Sequence, residues 1–274
     1  MPESPEVKLF AKRLNASFAT QQLLRITIVR GPYKDNEKEK YKHFREQAES
    51  FQPHVIKRVK NKGKWLYFKL DGPEYAALGV HHGMEGSWCN DPDNKHIILE
   101  LKMKCDQKIT KIYFQDSRRF GTFTLLTKEE LQKELKKLGP DIFKMTLEEF
   151  DKSLKVKRIQ KHRLCEALMD QSVISGIGNY LRADIMYLAK LDPKIEVFDL
   201  DESDKQRLYN AIRKVSRSSY GSGSTTVGYY ESAIHNGGYE FLVYQKAICP
   251  KGKKIQTFKD KNGRTVHYVP LKEK

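Results

Sequence analysis

The first residues of the chain could supply an amine nucleophile. Met1 precedes the small residue Pro2, and removal of such a methionine would leave the proline nitrogen as a free secondary amine. A free α-amino group has a reference pKa of about 7.7–8.0, so part of it is neutral at pH 7 and can attack the anomeric carbon of a sugar to form an iminium. Glu3 and Glu6 stand beside it as a candidate general acid and base. Taken alone, these residues favour a simpler interpretation, a helix start whose acids complement the helix dipole.

Two loop segments and a lysine could act on a nucleic acid. Lys64 follows Gly63 in KNKGKWLYF, Met84 lies between glycines in HHGMEG, and Arg118 and Phe120 lie in QDSRRFG. Singly, a strand lysine is usually solvated, a methionine usually belongs to the core, and two arginines usually mark an exposed turn. Together, Met, Arg and Phe at loop tips are suited to wedging into a base stack and filling the place of a flipped nucleotide.

A helix–turn–helix segment, DQSVISGIGNYLRADIMYLAKLDP, covers residues 170–193. At its Gly-Ile-Gly-Asn turn, Gly178 and the following helix N-terminus offer backbone N–H groups to a phosphate, and Asn179 adds a side-chain donor. In isolation the segment fits any helical hairpin equally well.

The composition favours a polyanionic partner and excludes several classes of protein. The 274 residues include 51 Lys and Arg against 35 Asp and Glu, a formal net charge of +16. Nucleic acid is the first expected partner and an acidic membrane surface the second. No apolar run approaches the roughly 20 residues of a membrane span, which excludes an integral membrane protein. The acidic N-terminus is unlike a secretory signal, so an intracellular protein is expected.

The four cysteines are Cys89, Cys105, Cys165 and Cys249, and none belongs to a C-x-x-C pair. A zinc site of four thiolates is therefore unsupported, and buried free thiols are expected rather than disulfides. We expect neither a metal nor another cofactor.

Periodicity divides the chain into a β-rich part and a helical part. Helical spacing from Val7 to Leu14, after Ser4-Pro5, predicts a first helix, and strand-like runs follow at 23–29, 55–70, 96–103 and 109–114. The helical part begins with two capping boxes, Thr127 with Glu130 and Thr146 with Glu149, and continues with helical patterns at 157–172, 179–189 and 202–216. Asn262-Gly263 predicts a final two-residue hairpin turn. We predict a β-rich domain over 1–126, a linker over 127–145 and a helical domain over 146–274.

These segments together resemble the Fpg/Nei family of DNA glycosylases. The resemblance rests on MPESPEV, GKW, HHGMEG, DSRRFG, LMDQSVISGIGNYLRADIMY and the closing GRT, in that order from residue 2 to about residue 265. It implies an α+β fold: an N-terminal β-sandwich with a long first helix, then a helix–two-turns–helix domain with a β-hairpin finger at about 245–270. The implied partner is damaged DNA, bound by a monomer wherever genomic DNA is kept, with duplex or single-strand preference left open.

The resemblance also implies a chemistry and a role for each residue. The family removes damaged bases through an iminium on its N-terminal proline and then cuts the strand by β- and δ-elimination. Pro2 would be the nucleophile, Glu3 the acid that assists base loss and sugar-ring opening, and Glu6 a further catalytic carboxylate. Phosphates would be held by Lys64, Asn179 and Arg264, and the void left by the flipped nucleotide would be filled by Met84, Arg118 and Phe120.

The departures from the family favour one of its branches. Cys249 is the last cysteine, so the hairpin around Asn262-Gly263, with Arg264 directly after it, resembles the zincless finger of Nei-like enzymes. We therefore expect oxidised pyrimidines and hydantoins as substrates, with a lesion-contacting loop within 217–240. Asp184 stands where relatives usually have glutamate, and Ser117 stands where proline is common.

Two alternatives use the same resemblance differently. A non-enzymatic binding protein could use the helix–two-turns–helix element alone, but such a protein has no use for a free Pro2. A family member could also retain only the lyase reaction on abasic sites, which the presence of Pro2, Glu3 and Lys64 disfavours.

Overall fold

The computed structural model describes residues 2–223 and 238–271. These residues form two compact units. The β unit comprises residue 2 and residues 6–136, and the helical unit comprises residues 3–5, 137–223 and 238–271. The domain boundaries predicted at 126 and 146 stay predictions.

The predicted first helix is confirmed as α1, Ser4–Phe18. Val7, Phe10, Ala11 and Leu14 are buried as the spacing predicted, and Phe18 extends the same apolar stripe. This stripe belongs to the main core of the β unit.

Eight strands of the β unit follow one hydrogen-bonded order, β5-β7-β6-β1-β2-β3-β4-β8. Their bounds are β1 Gln22–Ile28, β2 His54–Lys62, β3 Trp65–Leu70, β4 Ala77–His81, β5 Ser87–Cys89, β6 Ile97–Cys105, β7 Lys108–Gln115 and β8 Thr122–Leu126. Strands β1 and β2 pair at only two positions, so the sheet divides there into two four-stranded halves. Phe68 of β3 packs on Trp88 of β5, and Phe114 of β7 packs on Phe123 of β8. These contacts join the faces of the two halves, which makes the predicted β-sandwich.

The β unit also contains helices that periodicity did not predict. Short α2, Pro32–Asp35, and α3, Glu39–Glu49, follow β1. Helix α3 buries only Phe44 and Ala48, so its charged sequence gives little periodic signal. Tyr33 holds the α2–α3 segment in place, since its ring packs on Phe44 and its hydroxyl accepts the N–H of Phe123 at 2.8 Å.

Helix α4, Lys128–Lys137, was predicted, and it begins at the Thr127–Glu130 capping box.

The helical unit is built around two long helices, α7 Asn179–Ala189 and α8 Glu202–Gly221. Helix α5, Leu147–Leu154, begins at the predicted Thr146–Glu149 capping box. The helix predicted over 157–172 is wrong in length: this stretch holds a single 3-10 turn, Lys157–Ile159, and the short α6, Leu164–Ala167. Ile159, Leu164, Cys165, Ala167 and Leu168 are buried in the core of the helical unit, so core packing gives this stretch a helix-like apolar spacing although most of it is not helical.

The predicted hairpin is confirmed as β9 Gln256–Lys259 and β10 Thr265–Tyr268. Its turn is longer than the two residues predicted, because Lys259 pairs with Thr265 and residues 260–264 form the loop. Gly263 has φ of 73°, in the left-handed region that favours glycine. Across the described residues, no helix is both long and apolar enough to cross a membrane.

Candidate active site

The carboxylate of Glu3 lies at the N-terminus of α7, within the helical unit. It accepts hydrogen bonds from the backbone N–H groups of Gly178 at 2.6 Å, Tyr180 at 3.0 Å and Leu181 at 3.3 Å. The residue is only 2% exposed. A carboxylate in this position satisfies N–H groups that have no partner inside the helix and interacts favourably with the helix dipole. The residue next to Pro2 in the chain is therefore held firmly.

Both glycines of the Gly-Ile-Gly-Asn turn make room for this N-terminal segment. A Cβ on Gly178 would lie 2.3 Å from both Cδ and Oε1 of Glu3, and a Cβ on Gly176 would lie 2.7 Å from Cβ of Ser4. Gly176 also has φ of 121° and accepts the N–H of Ser4 at 3.1 Å. The prediction that the N–H of Gly178 receives a phosphate therefore disagrees with the structure, because Glu3 already occupies that donor.

Asn179 is the first residue of α7 and is held by an arginine that the sequence did not single out. Arg182, one turn later, donates from Nη2 to Oδ1 of Asn179 at 3.0 Å. Its Nη1 donates to Oδ2 of Asp260 at 2.8 Å, in the turn between β9 and β10. The other oxygen of Asp260 accepts the N–H of Arg264 at 2.9 Å. Asn179 and Arg264, which were predicted separately, thus share one hydrogen-bonded network.

Asp184 anchors the segment that leads to the hairpin. Its carboxylate accepts the Tyr239 hydroxyl at 2.9 Å and the backbone N–H groups of Leu242, Val243 and Tyr244 at 3.0, 2.9 and 3.4 Å. Burial raises the pKa of Asp184, and these hydrogen bonds oppose the rise. Burial, with the nearby Glu3 carboxylate adding to it, likewise raises the pKa of Tyr244, so this tyrosine is a neutral phenol near Glu3.

Met84 and Phe120 lie in adjacent loops of the β unit. A Cβ on Gly83, whose φ is 61°, would lie 2.7 Å from the carbonyl carbon of Phe120, so the two backbones touch at this glycine. The hydroxyl of Ser117 bonds to the carboxylate of Glu85, which links the loops a second time. Met84 is 40% exposed and Phe120 is 54% exposed. The structure brings these two wedge candidates together on the surface of the β unit.

Arg118 extends the same surface. Its guanidinium carbon lies 5.0 Å from the centroid of the Phe120 ring, in cation–π contact. The buried carboxylate of Asp116 shapes the loop by accepting the N–H groups of Arg118 at 3.1 Å and Gly121 at 2.7 Å. Arg119 takes a φ of 57°, an uncommon value for a side chain other than glycine that keeps the turn tight.

A buried histidine connects the Met84 loop to α1. His82 stacks on Phe10 with ring centroids 4.9 Å apart, and its Nε2 accepts the Trp88 Nε1–H at 3.1 Å. The ring is therefore neutral, with its proton on Nδ1. Burial, with the neighbouring His81 adding to it, lowers the pKa of His82 to about 3.

The remaining predicted residues of the β unit lie at the beginnings of two elements. Pro2 is buried, and Glu6 is 2% exposed in the first turn of α1. Lys64 is half-buried in the two-residue turn between β2 and β3, directly after Gly63, whose φ is 54°. In the part of the chain that the structure describes, no group of three or more His, Cys, Asp or Glu side chains could hold a metal ion. Of the predicted lesion-contacting loop over 217–240, residues 224–237 lie outside the described residues.

Sequence reasoning missed the residues that hold the predicted ones in place. Arg182, Asp260 and Asp116 act on partners through backbone groups or over long chain separations, and a single sequence does not show such pairings. The available signal for Arg182 was a charged residue within α7, most of whose residues are buried.

Comparison with known proteins gives consistent results for both parts of the chain. Residues 1–123 match the formamidopyrimidine-DNA glycosylase N-terminal domain, and residues 138–230 match the formamidopyrimidine-DNA glycosylase H2TH domain. A formamidopyrimidine-DNA glycosylase of Streptococcus agalactiae is 30% identical over 262 residues, which cover 92% of this chain and 91% of the relative. One of Ligilactobacillus salivarius is 27% identical over 258 residues, which cover 91% of this chain and 90% of the relative.

Solved structures show the same likeness. The Lactococcus lactis formamido-pyrimidine DNA glycosylase, non-covalently bound to DNA containing an AP site, is 25% identical with a TM-score of 0.79, and 98% of each chain is covered. A structure of MutM in complex with DNA containing carbocyclic 8-oxo-G has a TM-score of 0.80 at 24% identity, again over 98% of each chain, which is a likeness of fold.

Proposed function

Because the chain belongs to the formamidopyrimidine-DNA glycosylase family, and is thus a DNA glycosylase of base excision repair, we propose that it is bifunctional: it removes an oxidised base and then cleaves the strand at the abasic site. The observation that carries this proposal is the anchoring of Glu3 by three backbone N–H groups. Glu3 is bonded to Pro2 in the chain, so its anchoring restricts the position of the amine. A nucleophile held in this way loses little freedom on attack.

The chemistry begins after removal of Met1. The neutral nitrogen of Pro2 attacks C1′ of the damaged nucleotide, the N-glycosidic bond breaks and the base leaves with its electron pair, taking up a proton. The bound nitrogen then loses its proton, its lone pair forms a C=N bond to C1′ as the bond from C1′ to the ring oxygen breaks, and the ring oxygen takes up a proton; the product is an iminium between Pro2 and C1′. Because proline is a secondary amine, this iminium carries a fixed positive charge and serves as an electron sink. Loss of a C2′ proton expels the 3′ phosphate, and a second elimination expels the 5′ phosphate.

Glu3 has two proposed roles. Its hydrogen bonds hold the N-terminal segment against α7, and its negative charge, next to the amine in the chain, stabilises the cationic iminium. Delivery of a proton by Glu3 to the sugar oxygen stays a prediction. Glu6, buried in the first turn of α1, stays a candidate for proton transfer.

The exposed wedge surface supports base flipping. A nucleotide inside a duplex cannot be attacked at C1′ until it leaves the stack, which costs a few kcal/mol. Met84 and Phe120 are large apolar side chains that stay exposed on adjoining loops, and Arg118 adds a cation beside them. Insertion of these residues would recover part of the lost stacking. Lys64, Asn179 and Arg264 would hold phosphates, and the net charge of +16 adds sequence-independent attraction.

For the substrate we propose oxidised pyrimidines, such as thymine glycol and 5-hydroxyuracil, together with hydantoins. Support comes from GIGNYLRAD and from the β9–β10 hairpin, which forms in a chain whose last cysteine is Cys249. Both features resemble the Nei-like branch. The relatives named above are formamidopyrimidine-DNA glycosylases, so oxidised purines are the second candidate class.

Borohydride trapping tests the reaction and the substrate together. Protein with a verified N-terminal proline is incubated with duplexes that carry thymine glycol, a hydantoin, 8-oxoguanine or an abasic site, and the iminium is reduced to a stable adduct. We expect adducts with the first two lesions and the abasic site. An adduct with 8-oxoguanine in their place would assign oxidised purines, an adduct with the abasic site alone would leave only a lyase, and no adduct would favour a binding protein.

The nucleophile is tested by Pro2→Ala and a matched proline variant. Pro2→Ala replaces the secondary amine and should reduce trapping at least a hundredfold while DNA binding remains. Pro5→Ala, at the start of the same helix, leaves the amine unchanged and should trap at close to the wild-type rate. Equal trapping by Pro2→Ala would contradict the proposed requirement for the secondary amine of proline.

A further inference from the structure

A buried ion pair joins α7 to the β9–β10 hairpin inside the helical unit. The side chains of Arg182 and Asp260 are each 1% exposed, and their Nη1–Oδ2 distance is 2.8 Å. Burial strips both charges of water, so such a pair is seldom more stabilising than apolar residues of the same volume. Moreover, Nε of Arg182 is buried with no hydrogen-bond partner. The ion pair is therefore not explained by stability alone, and its role lies in the groups that it holds in place.

On one side, Arg182 determines how the Asn179 amide is turned. Nη2 of Arg182 donates to Oδ1 of Asn179 at 3.0 Å. A guanidinium can only donate, so the carbonyl oxygen of the amide must face it. The amide nitrogen of Asn179, with its two N–H donors, then points away from Arg182. Without the arginine, the amide could turn over and present its oxygen, which repels an anion.

On the other side, Asp260 holds the turn that carries Arg264. Its Oδ1 accepts the N–H groups of Asn262 and Arg264, both at 2.9 Å, and its own N–H donates to the Arg264 carbonyl at 2.9 Å. Arg182 also donates from Nη2 to the carbonyl of Thr265 at 3.3 Å. The backbone on both sides of the exposed Arg264 side chain is thus fixed to one buried pair.

We propose that Arg182 and Asp260 are positioning residues for phosphate binding: the pair orients the Asn179 amide through Arg182 and the Arg264 turn through Asp260. This inference rests on the proposed function, in which Asn179 and Arg264 contact phosphates. The phosphate contacts of Asn179 and Arg264 can be tested separately, because Arg182 acts mainly on Asn179 and Asp260 acts mainly on the Arg264 turn.

The Arg182 side is tested by Arg182→Lys, with binding to a duplex that carries a tetrahydrofuran abasic analogue. This analogue cannot form an iminium, so equilibrium affinity is measured alone. Lysine keeps the charge that faces Asp260 but lacks the second arm that reaches Asn179. We expect an affinity loss of about tenfold, with an unchanged dependence of affinity on salt because Asn179 carries no charge. In an Asn179→Ala background, Arg182→Lys should cause no further loss; an additive loss would overturn this half of the proposal.

The Asp260 side is tested by Asp260→Asn. This second variant keeps the proposal testable if Arg182→Lys does not fold. Because Arg182 can only donate, the amide oxygen would face it, and the amide N–H groups would then face the N–H donors of Asn262 and Arg264 and loosen the turn. Since Arg264 is charged, losing its phosphate contact should lower the slope of log affinity against log salt by about 0.9. The slope should not fall further in an Arg264→Ala background. A wild-type slope for Asp260→Asn would overturn this half.

A destabilised control separates positioning from general loss of stability. Val266 lies in β10 and is 1% exposed, so Val266→Ala weakens the same hairpin core without touching the ion pair. It should lower the unfolding temperature but leave the affinity and the salt slope at wild-type values. Changes in Val266→Ala equal to those in Asp260→Asn would overturn the proposal. Failure of the wild-type protein to prefer the abasic analogue over undamaged DNA would instead contradict the proposed function.

Discussion

Substitution of Gly178 by alanine should displace Glu3 and thereby destabilise the helical unit. The backbone of Gly178 has φ of −126° and ψ of −158°, extended values that alanine adopts without strain. The added Cβ would nevertheless lie 2.3 Å from Cδ and Oε1 of Glu3. The carboxylate must move, and the N–H groups of Gly178, Tyr180 and Leu181 lose their partner.

The size of this effect can be estimated from the hydrogen bonds lost. The two shorter bonds, at 2.6 and 3.0 Å, are charge-assisted and together contribute about 3–4 kcal/mol. A Gly to Ala change also restricts the unfolded chain, which returns about 0.4–1 kcal/mol. We therefore expect Gly178→Ala to lower the free energy of unfolding by about 2–3 kcal/mol, measured by urea unfolding with circular dichroism. Trapping of an abasic site should slow in parallel, because the segment that carries Pro2 is released.

The decisive comparison repeats the substitution in a Glu3→Ala background. There the space of the carboxylate is empty, so Gly178→Ala should become neutral or stabilise by up to about 1 kcal/mol. Gly221→Ala is the matched control, since a Cβ at Gly221 meets nothing within 4 Å. An equal loss of stability for Gly178→Ala with and without Glu3 would refute the steric explanation.

Three further outcomes are expected from the described contacts. The pKa of His82 is lowered to about 3 in the folded protein, against about 6.5 when unfolded, so folding becomes less favourable as the pH falls from 6.5 towards 3. Through this group, the free energy of unfolding of the wild type should fall by about 2 kcal/mol from pH 7 to pH 5. His82→Gln should lack that part of the pH dependence. Asp184→Asn places an amide donor against backbone donors and should cost about 2–3 kcal/mol in urea unfolding, so unchanged stability would contradict the anchoring role. Gly83→Ala drives a Cβ into the backbone of Phe120 and should reduce base flipping at least tenfold, measured by 2-aminopurine fluorescence beside a lesion; a wild-type signal would show that loop contact is not needed.

Features set by neighbouring residues could be predicted from the sequence. Both capping boxes involve residues three apart in the chain, so Thr127 and Thr146 were identified correctly. Helix α7 begins and ends where its pattern predicted, at residues 179 and 189. Strands β4 and β5 were missed because their residues are almost all buried and do not alternate. Strand β8 was missed although Phe123 and Leu125 alternate with the more exposed Thr122 and Thr124, because it is only five residues long. In β4, Gly79 also resembles a loop residue, although a Cβ there would lie 2.5 Å from the Trp65 ring.

Features set by distant residues could not be predicted in this way. The sequence located Glu3 and Gly178 as separate candidates, but their hydrogen bond joins residues 175 apart. Arg182 and Asp260 are 78 residues apart, and nothing in the local pattern of either indicates the other. The chemistry-bearing residues were therefore accessible to sequence reasoning, whereas the residues that orient them required the fold.

The placement of carboxylates follows from the charge of the expected substrate. Glu3, Asp116, Asp184 and Asp260 are at most 5% exposed, and each accepts at least two backbone N–H groups. The groups bound by Glu3, Asp116 and Asp260 belong to or adjoin predicted site residues, and those bound by Asp184 lie in the segment that leads to the hairpin. An exposed carboxylate beside a phosphate-binding residue would repel the DNA backbone, whereas one turned inward both hides its charge and fixes the loop. This requirement explains why acidic residues can stand among the functional motifs of a protein whose net charge is +16. It also predicts that replacing any of the four by an uncharged residue weakens function through loop order, since removing negative charge alone would strengthen attraction to DNA.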